Sequence, residues 1–502
     1  MFTTRSEPDM TSLDQSRAPL LEALENYRRD NRYGYTPPGH RQGRGVDDRT
    51  RTTIGAAAFE SDLLVSPGLD DRRMSSAYLP DAEELMADAV GAELAFFSTC
   101  GSSLSVKAAM MAVAGGEGGE LLITRDAHKS IVAGLIFSGL RPRWVRPRWD
   151  ENLHLTHPPS PEEVRKAWET DPQAAGLLIV SPTPYGTCAD IRAIADVCHE
   201  YGKPLIVDEA WGAHLPFHDE LPTWAMDAGA DVCVVSVHKM GAGFEQGSVF
   251  HVQGDLIDRS RLSQCADLLM TTSPSVPVYS ALDGWRRYMV ESGREVLGRG
   301  LDLARRVRRA VDDIDGLTVM HDELLHEEAS HDLDEMQVLI DVSELGISGY
   351  QSADWLRDQH CIDLGLSDHR RILATISHAD DEDTADRLLS ALRDLTCAAD
   401  SFESPRKVHQ PSPVELQLEN RMLPRDAFFG DTERVSLDDA PGRVAAEQIT
   451  PYPPGIPVVV PGEVLNESVV EYLRTGKNAG MNLPDAADDA LDTIKVVRRT
   501  HS

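Results

Sequence analysis

Between about residue 85 and residue 275, short apolar runs alternate with helix-like segments, and this alternation restricts the fold more than any other feature. The runs cover residues 94–98, 121–124, 176–180, 204–207 and 232–235. They are short and almost wholly apolar, as expected of parallel strands buried on both faces. Helical segments lie between them. Ser160-Pro161-Glu162-Glu163 offers an N-cap, a proline at the first helical position and a capping-box glutamate. Over 189–201, Ile191, Ile194, Ala195, Cys198 and Tyr201 keep a three-to-four spacing, and Gly202 can end the helix. Another helix is predicted over 102–114. Strand and helix in this order predict an α/β fold with a doubly wound, mostly parallel sheet, whose ligands bind at the carboxyl ends of the strands.

The chain has 502 residues, more than a single core usually serves. Residues 1–60 are polar and turn-rich and read as an N-terminal arm. Residues 61–275 form the major domain. After Thr271-Thr272-Ser273-Pro274-Ser275 the pattern changes. A long helical stretch over 276–313 leads into strands at 337–341 and 371–375, and an amphipathic helix over about 380–395 closes a smaller α+β domain, 276–400. Residues 401–413 read as a linker, and 414–502 as a C-terminal domain.

The net charge is −33, from 49 basic and 82 acidic residues, which argues against a nucleic-acid or anionic-membrane partner. Seven cysteines are scattered from Cys100 to Cys397 without a CxxC pair. That spacing suits a reduced, cytoplasmic protein and neither a disulfide frame nor a metal site. The start of the chain has no signal-type apolar core, and no run approaches the roughly 18 apolar residues of a membrane span.

The sharpest chemical signals lie at predicted strand ends. Lys239, in Ser236-Val237-His238-Lys239, follows the run 232–235, and Asp208 follows 204–207. A reachable lysine and a strand-end aspartate are what pyridoxal phosphate (PLP) requires. The amine forms the Schiff base and the carboxylate keeps the pyridine nitrogen protonated. Ser236 and His238 can donate to a phosphate. A surface lysine and a helix-capping aspartate are the ordinary alternatives. Gly101-Ser102-Ser103 opens a helix after the first run, either as an anion site or as a plain cap. His128 could stack on a planar ring, move a proton, or simply fasten a loop. Lys129 beside it is the rival Schiff-base candidate. Thr183 and Tyr185 lie just past a strand end, facing a ligand or forming a turn. Trp211 packs against a cofactor or into the core. Glu447 pairs with a cationic substrate group or is a solvated helix residue.

Together these segments resemble the Orn/Lys/Arg decarboxylase family, fold-type-I PLP enzymes acting on basic amino acids. The resemblance runs along nearly the whole chain: Pro38-Gly39-His40, Asp126-Ala127-His128-Lys129-Ser130, Ser181 to Gly186, Val207-Asp208-Glu209-Ala210, Ser236 to Lys239, Thr271 to Ser275, and the proline-rich stretch 451–457. It implies the type I PLP-dependent transferase fold and decarboxylation of arginine, lysine or ornithine to an amine and CO2. Lys239 would be the Schiff-base lysine, Asp208 the pyridine partner and His128 the ring-stacking residue. Gly101, Ser102, Ser103, Ser236 and His238 would hold the phosphate, with Trp211 against the cofactor. Ser273 would reach the cofactor of a neighbouring subunit, giving a homodimer with active sites at the interface, or a higher oligomer. Thr183, Tyr185 and Glu447 would lie on the substrate side. An aminotransferase or oxidative deaminase using the same cofactor is the alternative, and a non-catalytic binding relative is a further one.

The sequence also departs from the family pattern. Val106 stands where Asn is common and Trp211 where many members have His. Cys100 and Ser102 are substitutions in the phosphate turn. Residues 240–246 replace a more usual Thr- and Leu-rich stretch. Substrate identity therefore stays open. The amino-terminal wing domain of the large decameric members is expected to be absent, which favours a dimer or a dimer of dimers.

Overall fold

Seven strands form the main sheet: β1 (Leu94–Ser98), β2 (Gly119–Thr124), β3 (Leu140–Val145), β4 (Leu177–Val180), β5 (Leu205–Asp208), β6 (Val232–Ser236) and β7 (Ser248–Val252), in the order β1-β7-β6-β5-β4-β2-β3. The computed structural model describes residues 13–63, 78–114, 118–326, 330–412, 414–452 and 455–499. The first residues of the chain, Pro413 of the predicted linker, and Pro453 and Pro454 of the proline-rich stretch lie outside the described residues.

Strands β4, β5 and β6 are buried along their whole length, because helices cover both faces of the sheet. Successive side chains divide between two cores. Leu177, Ile179, Leu205, Val207, Cys233 and Val235 enter one, while Leu178, Val180, Ile206, Val232 and Val234 enter the other. This two-residue alternation is hidden in the sequence because both sets are apolar.

Two strands escaped the apolar-run pattern. β3 is an edge strand whose Arg141, Pro142 and Arg143 break the run, and an edge is where a strand tolerates proline. β7 is antiparallel to both of its neighbours, and every other strand of the sheet points the opposite way. β1 is therefore not paired to a parallel neighbour, as its sequence suggested, but closes one edge through β7. The reason is the length of the connection. Residues 237–247 are too few for the crossover that a parallel return needs. That short connection holds the one-turn helix that carries Lys239.

The helices that position the site are α1 (Gly101–Ala114), α2 (Ser130–Ser138), α3 (Pro161–Thr170), α4 (Ile191–Glu200) and α5 (Val237–Met240). α3 has the predicted capping box: Ser160 accepts from the Glu163 N–H, and Glu163 accepts in return from the Ser160 N–H. α1 and α2 pack closely at Gly134, where a Cβ would stand 2.2 Å from Met110 Sδ.

α6 (Val276–Asp312) then leads into a four-stranded antiparallel sheet of β8 (Thr318–Val319), β9 (Gln337–Asp341), β10 (Leu366–Ser367) and β11 (Arg371–Thr375), in the order β8-β9-β11-β10. It packs with α7 (Gly349–His360) and α8 (Glu382–Ala398). Residues 403–412 carry no regular element. The C-terminal region has its own apolar cluster around α9 (Glu467–Asn478) and the antiparallel pair β12 (Thr432–Ser436) and β13 (Thr493–Val497). Among the described residues no helix is long and apolar enough to cross a membrane.

Candidate active site

The carboxyl ends of β2, β5 and β6 and the amino end of α1 surround a cavity of ≈ 480 Å³. This is where a doubly wound sheet places its ligands, since the loops leaving neighbouring strands part there. Lys239, Asp208, His128, Gly101, Ser102, Ser103, Trp211, Ser236 and His238 all line it.

At one end lies the start of α1. Gly101 adopts φ +73°, and its N–H donates to the Gln246 carbonyl at 3.0 Å. The amides of Ser102 and Ser103 have no protein acceptor among the described residues, as expected of a helix's first turn. The Ser236 hydroxyl donates to that of Ser102 at 2.8 Å. His238 Nδ1 lies 3.0 Å from the Gly247 carbonyl, which can only accept, so that nitrogen carries a proton. Val106, one of the departures from the family pattern, is fully buried among apolar residues behind this turn.

Asp208 ends β5, and its Oδ1 is buried with no hydrogen-bond partner among the described residues. Burial pushes its carboxyl up, and the charge of Lys239 opposes that shift. Burial likewise lowers the Lys239 amine, with Asp208 acting in the opposite direction. Lys239 Nζ stands 4.3 Å from the centre of the Trp211 ring, a cation–π contact that holds the amine without neutralising it. His128 is buried beside two lysines. Burial first, then the charges of Lys239 and Lys129, push its imidazole down to about 4. Its ring is neutral at ordinary pH. The Ser130 N–H donates to Nδ1 at 3.2 Å, so the proton of the neutral ring resides on Nε2.

The rival lysine is otherwise engaged. Lys129 Nζ pairs with Asp485 at 3.0 Å and lies over the Tyr452 ring. It does not line the cavity.

The single chain does not bring four of the expected residues to this wall. Thr183 Oγ1 bonds Thr187 Oγ1 at 2.6 Å, and the neighbouring Pro184 lines the cavity instead. Tyr185 turns into an apolar cluster with Leu153, Leu333 and Leu339, and burial pushes its phenol up. Glu447 accepts from the N–H of Ala487 at 2.6 Å and of Lys495 at 2.5 Å, so both oxygens are committed to backbone. Ser273 sits in an exposed turn, 3.3 Å from Thr271 Oγ1.

Other wall residues were not singled out from the sequence. Gly365, Leu366 and Leu373 come from the small sheet, and Tyr452 and Ile456 from the C-terminal region. No local pattern marks the first three, whereas Tyr452 and Ile456 belong to the proline-rich stretch 451–457 that carries part of the family resemblance. Asp126 is different: it follows β2 much as Asp208 ends β5, so its strand-end position was a usable signal.

Two family models match the chain: the Orn/Lys/Arg decarboxylase major domain over residues 18–384 and the C-terminal domain of the same family over residues 409–490. The chain is similar to the arginine decarboxylase of Halalkalibacterium halodurans, 36% identical over 488 residues and covering 96% of this chain and 98% of that one. It is similar to the arginine decarboxylase of Bacillus subtilis, 35% identical over 489 residues and covering 97% and 99%. Among solved structures, lysine decarboxylase A from Pseudomonas aeruginosa superposes with a TM-score of 0.81 at 22% identity, covering 96% of this chain and 81% of that one. That last likeness is one of fold.

Proposed function

The chain belongs to the Orn/Lys/Arg decarboxylase family, and from that premise we propose that its substrate is L-arginine, decarboxylated at the cavity below the β5 and β6 ends. The protein is a PLP-dependent enzyme that decarboxylates a basic amino acid. Arginine is favoured because relatives at 35–36% identity over nearly their whole length are arginine decarboxylases.

One observation carries the assignment of the site. A desolvated lysine amine and a buried carboxylate oxygen with no protein partner share one cavity. An unpartnered buried carboxylate is costly unless a ligand satisfies it. The residues fit PLP: Asp208 would hold the pyridine nitrogen, while Ser102, Ser103, Ser236 and His238 would hold the phosphate. When bound, the cofactor supplies the electron sink that lets CO2 depart.

The chain's own residues do the rest. Burial lowers the Lys239 amine, so more of it is free base and nucleophilic. Trp211 keeps it positioned. Asp208, at the end of β5, would stabilise a proton on the cofactor's ring nitrogen. His128, neutral and planar, suits stacking and leaves an Nε2 proton to donate. His238 donates through Nε2 to an anion only in its doubly protonated form, since Nδ1–H faces Gly247.

Two chains form the working unit in this reading, because Ser273 is exposed and away from its own chain's cavity, and free to serve a neighbour's. The seven free cysteines support a reducing, cytoplasmic setting. A panel of arginine, lysine and ornithine, scored for CO2, amine and keto acid, tests the substrate. Arginine should give CO2 and agmatine with the highest kcat/KM. Turnover of lysine or ornithine above arginine, or keto acid as the main product, would refute the proposal. Mixing Lys239→Ala with Ser273→Ala chains should restore activity if sites are shared, and no restoration would show that they are not.

A further inference from the structure

A basic side chain entering this cavity needs an anion to receive it. Among the described residues the wall carries three carboxylates, Asp208, Asp126 and Glu245. Asp208 is assigned to the cofactor. Glu245 is exposed, where water screens its charge. Glu447, expected from the sequence to meet the substrate, is held by two backbone amides away from the wall.

Asp126 alone has the properties the task requires. It is only 7% exposed, and among the described residues neither carboxylate oxygen has a partner in full hydrogen-bond geometry, although the Thr124 hydroxyl and its own backbone N–H stand near enough to favour the ionised form. Its charged neighbour is engaged elsewhere. The Arg125 guanidinium lies 4.9 Å from the centre of the Trp144 ring, donates to the Val458 carbonyl at 3.0 Å and pairs with Glu463 at 3.3 Å. A buried carboxylate with two open oxygens matches the forked donors of a guanidinium. Asp126 and Ile456 also border a second cavity of ≈ 1170 Å³ toward the C-terminal region, so the carboxylate stands where the two spaces meet.

We infer that Asp126 binds the distal positive charge of the substrate and is the specificity-determining acid that this chain supplies. The inference rests on the assignment of a basic amino acid as substrate. The folded protein tolerates an unpaired buried carboxylate here because the substrate completes it. Burial holds the Asp126 carboxyl up at about 6, and an incoming guanidinium favours its ionised form.

The test replaces Asp126 by Asn, which keeps the shape and removes the charge. Agmatine, the decarboxylated form of arginine, should bind the PLP-loaded Asp126→Asn variant roughly 10- to 100-fold more weakly by calorimetry. Arginine KM should rise by a similar factor, with kcat changed far less. Discrimination between arginine and citrulline, its uncharged analogue, should collapse. The PLP absorbance should match that of the unaltered enzyme, and Glu245→Gln should leave agmatine binding within twofold. Asp126→Ser, which deletes the charge with a smaller side chain, must reproduce the loss of agmatine binding. Unchanged agmatine binding in either Asp126 variant with the absorbance band intact would overturn the inference, as would an equal loss toward arginine and citrulline. If the unaltered enzyme releases CO2 from none of the basic amino acids, the functional reading itself fails, which is a separate outcome.

Discussion

Two lysines follow strands of the same sheet, and the structure treats them in opposite ways. Lys129, after β2, pairs with Asp485 of the C-terminal region and is a structural tie between domains. Among the described residues Lys239, after β6, has no such ion pair. It rests on the face of Trp211, close enough to Asp208 to feel its charge. The same division separates the acids. Glu447 is fully engaged by backbone amides, whereas Asp208 and Asp126 are buried with open oxygens. A group whose partners are supplied by the protein stabilises the fold. A group buried without them is held ready for a ligand, at a cost to stability.

The contrast between the lysines gives the largest expected effect. Lys239→Ala should remove the PLP absorbance band and reduce decarboxylation by more than about 10³-fold. Lys129→Ala should keep the band. An absorbance band that survives Lys239→Ala and vanishes with Lys129→Ala would reverse the assignment.

The acids give the next effect, on stability. Burial raises the Asp126 carboxyl from 3.8 to about 6. A carboxyl raised on folding costs nothing below its unfolded value, and the cost grows through that window and is complete above the folded value. Without substrate, Asp126→Asn should therefore match the unaltered protein below about pH 3, gain as pH rises from about 4 to 6, and hold a constant advantage above about pH 7. A shift of about two units corresponds to a gain on the order of 3 kcal/mol. Denaturant unfolding at a series of pH values measures it. A gain that does not change with pH would show that the carboxylate is not the source.

A smaller effect is expected at Gly455, which adopts φ +92° with His128 against it. A Cβ there would stand 3.1 Å from His128 Cδ2 and 3.2 Å from Nε2. Gly455→Ala should cost about 1 kcal/mol or more of backbone strain and displace the imidazole, seen as a fall in kcat with PLP still bound. Normal kcat would separate His128 placement from this turn. The smallest effect belongs to the partnered group. Lys129→Ala should lower stability by about 1 kcal/mol or less, because the pair with Asp485 is partly open to solvent.

Much of the fold was legible because its signals are local. The apolar runs became β1, β2, β4, β5 and β6 almost residue for residue, and the Ser160 capping box and the helix over 191–200 stand where their spacing placed them. β7 was not legible, since His251 interrupts its short apolar run and its direction follows from a connection too short to cross over. In the site, Lys239 and Asp208 could be named from their strand ends. Thr183 and Tyr185 share that position, yet a bond to Thr187 and an apolar cluster draw them away.

The sequence by itself determined the layered α/β sheet, the lysine and aspartate at its carboxyl edge and the family to which they belong. Each of these depends on periodicity or on a residue's place relative to one strand. The tertiary structure alone decided which charged groups are left without partners. That outcome depends on residues far apart in the chain, Lys129 with Asp485 and Glu447 with Ala487 and Lys495, and on how completely packing removes water from Asp126 and Asp208. Desolvation and partner geometry are properties of the packed molecule, and they separate a structural charge from one kept open for chemistry.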